Sequence, residues 1–72
     1  MLDTRAMSLA NHMANLGLSD SDLAAKLGVS PEVVRLWRHG HRRIPAERAI
    51  EISDAIGVPR HDLRPDLWEE VA

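Results

Sequence analysis

The stretch DSDLAAKLGVSPEVVRLWRHG, running from Asp20 to Gly40, decides how this chain folds. It holds two short helical patterns separated by a break. Leu23, Ala24 and Leu27 form one apolar stripe, and Val34 and Trp37 form another at a spacing of three. Gly28 stops the first pattern, since glycine takes a left-handed conformation without a Cβ penalty. Ser30-Pro31 restarts it: serine is a good N-cap, and proline is tolerated at the first helical position. Ala24 is small enough for two helices to approach closely, and Val29 fills the corner. Two short helices crossing at a tight turn are what a helix-turn-helix requires, the second helix being the one that enters the major groove of DNA.

Working outward, the same kinds of signal recur. Ala6, Leu9, Ala10 and Met13 fall on one face of a helix that Gly17 ends. Ser19 and Asp22 have the spacing of a capping box, and Leu18 and Leu23 that of a hydrophobic staple. Ile44-Pro45 opens a fourth helix with Ala49, Ile52 and Ile56 on one stripe, ended by Gly57-Val58-Pro59. Pro59 to Arg64 has room for one more turn before Pro65. Sustained two-residue alternation is missing, and the chain contains neither Phe nor Tyr. The expectation is an all-α, compact four- to five-helix bundle. It forms a single domain over residues 1–72, with the helix-turn-helix at about 19–39 and a segment, 59–72, available for dimerisation.

Composition narrows the function. The 72 residues bury only ~60% of their unfolded surface, so the fold is marginal without help. The absence of cysteine removes disulfides and thiolate metal sites as that help. No apolar run approaches the ~18 residues of a membrane span, and Met1-Leu2-Asp3-Thr4-Arg5 carries no apolar signal core. A cytoplasmic protein, of the bacterial nucleoid or phage-encoded, is expected. His12, His39, His41 and His61 form no metal-ligand spacing, and no Gly-rich phosphate loop is present. No nucleophile–base arrangement is legible either, so neither an enzyme nor a cofactor or metal is expected.

Charge points elsewhere. The chain is acidic overall, at −2, yet residues 30–48 carry +3 and all others −5. The positive stretch contains Arg35, Arg38, Arg42, Arg43 and Arg48, with His39 and His41 among them. A local cationic face on an acidic protein is the electrostatic footprint of phosphate binding. A merely solvated charged face is the alternative.

The run from Leu16 to Trp68 resembles the phage repressor/Cro-type (lambda-repressor-like) helix-turn-helix regulators, in particular the small Cro-like proteins that include YdaS-type antitoxins. The resemblance rests on Leu23-Ala24, Leu27-Gly28-Val29-Ser30 and Val34-x-x-Trp37-x-x-Gly40, and on the tail Arg60 to Trp68. It implies a transcriptional repressor that binds double-stranded operator DNA, usually as a homodimer. By position in the family motif, Ser30, Pro31, Glu32, Arg35 and Leu36 face the groove. Arg35 suits guanine O6/N7, Glu32 suits cytosine N4, and Leu36 or Val33 suits a thymine methyl. Pro31 and Leu36 depart from the polar residues common in such motifs, so direct base readout is sparse. Arg38, His39, His41, Arg42 and Arg43 lie at the helix end and in the following loop, where phosphates or a narrow minor groove are in reach.

Trp37 belongs to the core rather than to a ligand stack. Ile50, Leu67 and Trp68 are the apolar groups available for dimerisation, although Trp68 folding over Ile50 within one chain is the competing arrangement. A second function also fits: an antitoxin-like or anti-repressor module gripping another protein, such as a toxin. The acidic Asp66, Glu69 and Glu70 beside Leu67 and Trp68 motivate it. An activator that touches RNA polymerase would use the same fold.

Overall fold

The computed structural model describes residues 8–68. Ala6, the segment Met1 to Arg5 and the acidic Glu69 and Glu70 lie outside the described residues. Five helices follow in order: α1 (Leu9–Leu16), α2 (Asp20–Leu27), α3 (Pro31–Arg38), α4 (Ala46–Ile56) and α5 (Arg60–Leu63). Among the described residues there is no strand, as the sequence led one to expect.

Local chemistry sets the helix ends. The Ser8 hydroxyl accepts the Asn11 N–H at 3.2 Å, a cap the periodicity of Leu9, Ala10 and Met13 does not reveal. At α2 the capping box is complete. The Ser19 hydroxyl accepts from the Asp22 N–H at 3.0 Å, and the Asp22 carboxylate accepts from the Ser19 N–H at 3.0 Å. That backbone donor holds the Asp22 carboxyl below its ordinary range. Each cap satisfies donors that the first helical turn otherwise leaves unpaired. Gly28, at φ +71°, ends α2, and its N–H reaches back to the Ala24 carbonyl at 2.8 Å. The chain then needs only Val29 and Ser30 before α3 begins on Pro31.

The core forms where these short helices meet. Leu23, Val34, Ala49 and Ile52 have no exposed surface, and Trp37 keeps only 6%. α2 packs on both α3 and α4, α1 rests on α3, and α5 rests on α4. Leu9 and Met13 are buried as expected, whereas Leu27, Val29 and Ile56 are only half-buried at the rim. Val33, offered above as an outward residue, also packs against the core.

Long-range polar contacts then fix the C-terminal part. Arg64 donates to the Ile44 carbonyl at 2.7 Å and grips Asp66 with two parallel hydrogen bonds of 2.9 and 2.7 Å. This pairing, with a smaller contribution from the charge of Arg43, lowers the Asp66 carboxyl to about 2. His12 on α1 meets Asp62 on α5 at 2.9 Å. Trp68 folds back onto its own chain, half-buried against the core, with the Arg60 guanidinium 5.5 Å from its ring centroid. No helix among the described residues is long and apolar enough to cross a membrane.

Candidate nucleic-acid interface

α3 has a clean division of faces. With ~100° between successive residues, Val34 and Trp37 lie on the inward side, flanked by the half-buried Val33 and Arg38. Pro31, Glu32, Arg35 and His39 are exposed and Leu36 half-buried. Together these five cover a contiguous outward arc of about 140°. Ser30 stands at its N-terminal edge. Its hydroxyl accepts the Val33 N–H at 3.3 Å, which leaves the O–H free to donate outward. Four of the five groove candidates therefore share this arc, and Ser30 borders it.

Arg35 and Glu32 are joined to each other. Arg35 Nε donates to Glu32 Oε1 at 3.1 Å, and Arg35 Nη2 pairs with Oε2. The guanidinium holds the Glu32 carboxyl below its usual range, and the carboxylate raises the Arg35 guanidinium in turn. Both side chains remain substantially exposed, so the pair contributes little to stability. Its effect is on geometry: Arg35 presents its fork already engaged.

Arg38 is placed differently from the other phosphate candidates. Its Nε and Nη2 donate to the two carboxylate oxygens of Asp20 at 2.7 and 2.9 Å. Asp20 is the first residue of α2, so the pair locks the end of α3 to the start of α2. The hydrogen bond from Arg38 pulls the Asp20 carboxyl below its ordinary range, against a smaller effect of burial. A planar fork meeting a carboxylate in two parallel bonds is a directional contact as well as a charged one. Arg48 is also committed, with Nη1 2.6 Å from Glu51 Oε1 and 3.5 Å from the Leu27 carbonyl.

The positive stretch is therefore less uniform than its composition. Arg35, Arg38 and Arg48 each hold a carboxylate. Arg42 and Arg43 are exposed and, among the described residues, form no salt bridge. The loop bearing them is shaped by Gly40, at φ +77°, and by the Leu36 carbonyl, which accepts the His41 and Arg42 N–H groups at 2.9 and 3.2 Å. His39 and His41 are exposed with ring centroids 6.0 Å apart. Sequence inspection missed the Asp20–Arg38 lock, which spans eighteen positions and leaves no local signal. It also missed the Glu32–Arg35 pair, for which opposite charges three apart on a helix were a sufficient signal.

Of the dimerisation candidates, Ile50 and Leu67 are exposed, together with Leu16. Trp68 is the exception, since it is half-buried on its own chain.

A small all-helical protein with a two-helix corner, an outward arc on the second helix and two exposed arginines beyond it is the class these observations define. The chain belongs to the YdaS family: the family model described as "Bacterial toxin YdaS" matches residues 10–71. The chain is also 47% identical over 49 residues to the "Putative transcriptional regulator YdaS" of Escherichia coli (strain K12). That match covers 65% of this chain and 50% of the relative, so the chain spans about half the length of the curated relative it matches. No solved structure matches the chain. The relative's name supports a regulatory role, while the family's name is that of a toxin.

Proposed function

We propose that this protein is a sequence-specific DNA-binding transcriptional regulator, a Cro-like repressor without catalytic activity. α2 and α3 form a helix-turn-helix, and the outward arc of α3 enters the major groove. Arg35 reads a guanine, with Glu32 holding its fork until the base replaces the carboxylate or accepting from a neighbouring cytosine. Ser30, Pro31 and Leu36 border that contact and supply shape more than hydrogen bonds. Arg42, Arg43, His39 and His41 meet phosphates, while Arg38 keeps α3 at a fixed angle to α2. The observation that carries this reading is the pair Arg42 and Arg43, exposed beside an outward helical arc on a chain of net charge −2.

One helix reads few base pairs, so a homodimer on a pseudo-palindrome, with recognition helices ~34–36 Å apart, completes the proposal. Ile50 and Leu67 are the apolar groups for that contact. An electrophoretic mobility shift with random duplex at low and at moderate salt tests it. Binding that weakens steeply with salt is expected, and no shift at low salt overturns it.

A second function, a protein-binding module of the toxin–antitoxin kind, is favoured by the exposed Leu16, Ile50 and Leu67 and by the family's name. Failure of the mobility shift alongside a stable complex with another protein would select it.

A further inference from the structure

The outward arc of α3 carries two opposite charges joined to each other. Arg35 Nε donates to Glu32 Oε1 at 3.1 Å and Nη2 pairs with Oε2, so one carboxylate takes both prongs of the fork. Pro31, Leu36 and the Ser30 hydroxyl add no charge, and His39 closes the arc at its C-terminal end. The centre of the proposed groove face is therefore electrically neutral. The charge bias lies beyond it, on the exposed Arg42 and Arg43. An arginine on a groove face ordinarily attracts any duplex, because phosphates line both rims and carry no sequence information. Glu32 cancels that attraction where the bases are read.

Both side chains are substantially exposed, and in water such a pair parts at little cost. Inside a groove the balance differs. Water is displaced, and a charge that loses its partner there must find another or remain unsatisfied. Residues three apart rise ~4.5 Å along a helix, close to one base-pair step of ~3.4 Å. A guanine with a cytosine in the neighbouring base pair satisfies both charges, O6/N7 taking the fork and N4–H₂ donating to the carboxylate. A neighbouring thymine or guanine shows the carboxylate only acceptors, adenine sets its N7 acceptor beside its N6 donor, and every phosphate repels it. We propose that Glu32 is a specificity-determining residue that acts by exclusion: it withholds the Arg35 guanidinium from phosphates and penalises any groove without a cytosine amino group beside the guanine. This role rests on the DNA-binding function proposed above, and gives a reason for an acidic side chain on that face.

The test is Glu32→Gln in the full chain, titrated by mobility shift against random duplex and against the site that wild type selects from randomised duplexes. Affinity for random duplex should rise about threefold, with the log–log salt slope steeper by roughly 0.9, the value for one further phosphate. Affinity for the selected site should fall about threefold, so that discrimination drops about tenfold. Selection with the variant should lose the cytosine beside the guanine. Asp54→Asn removes the same charge from an exposed position on α4 and should leave discrimination unchanged. In a chain carrying Arg35→Ala, Glu32→Gln should leave the salt slope where it was, since no guanidinium is there to be released. The melting temperature of Glu32→Gln should hold, because an exposed pair contributes little to stability. Unchanged or weaker binding of random duplex by Glu32→Gln overturns this role, as does an equal loss of discrimination in Asp54→Asn. Either result, with wild type still shifting DNA, leaves the DNA-binding function standing. Wild type that shifts no duplex at low salt removes that function and the role of Glu32 with it.

Discussion

Arg35 and Arg38 on α3, and Arg42 and Arg43 just beyond it, belong to one basic stretch of sequence yet sit in opposite electrostatic settings. The helical pair is spent on carboxylates, Glu32 and Asp20. The loop pair is exposed and, among the described residues, held by no carboxylate in a salt bridge. The difference teaches that charge near a helix can do two separate jobs. On the helix it sets orientation, because a forked guanidinium fixes its partner's direction as well as its distance. In the loop it is left exposed. A charge count over residues 30–48 merges the two.

The contrast breaks most visibly if the corner itself is removed. Leu23 has no exposed surface between α2 and the rest of the core. Leu23→Ala should cost about 3 kcal/mol in urea denaturation, a large share of what a chain of this size possesses. A loss under 1 kcal/mol would mean the corner is not the part of the core that matters, against the roughly 2–5 kcal/mol typical of such truncations.

The loop arginines come next. Arg42→Ala and Arg43→Ala should weaken specific and random DNA alike, with the log–log salt slope smaller in magnitude by roughly 0.9 for each phosphate that an arginine no longer neutralises. The melting temperature should hold. A normal slope in both variants would remove them from the phosphate face. Arg35→Ala should act otherwise, lowering cognate affinity by about tenfold and leaving random DNA nearly untouched. Selection on randomised duplexes should lose its preference at one position per half-site, whereas Arg38→Ala should keep the selected motif and lower the melting temperature.

Acid sharpens the same distinction. Arg38 holds the Asp20 carboxyl below its ordinary value, so the folded chain takes up that proton less readily than the unfolded one. The stabilisation is complete above the unfolded carboxylate pKa of about 4 and is lost as pH falls through the lower folded value. Wild type should therefore melt above Asp20→Asn at neutral pH, and the two curves should converge in strong acid. A constant difference from pH 7 to pH 2 would show that the lock is not ionic. The smallest effect belongs to the capping box: Ser19→Ala should cost about 1 kcal/mol, read by thermal melting, without altering DNA preference.

Much of this molecule is written in its sequence because much of it is local. The caps at Ser19 and Ser30, the stop at Gly28 and the inward pair Val34 and Trp37 each depend on residues within a few positions of one another. Backbone donors near a helix start must be satisfied nearby, and a 3.6-residue period declares which side is buried. The five helices, the corner and the outward arc on α3 were legible for that reason. Tertiary structure alone decided how the charges are used. Arg38 finds Asp20 across eighteen positions, Arg64 reaches the Ile44 carbonyl across twenty, and His12 meets Asp62 across fifty. It decided too that Trp68 packs half-buried against its own core. A long, flexible side chain samples many partners, and which one it meets depends on where the packed helices place them, a placement no short window of sequence contains.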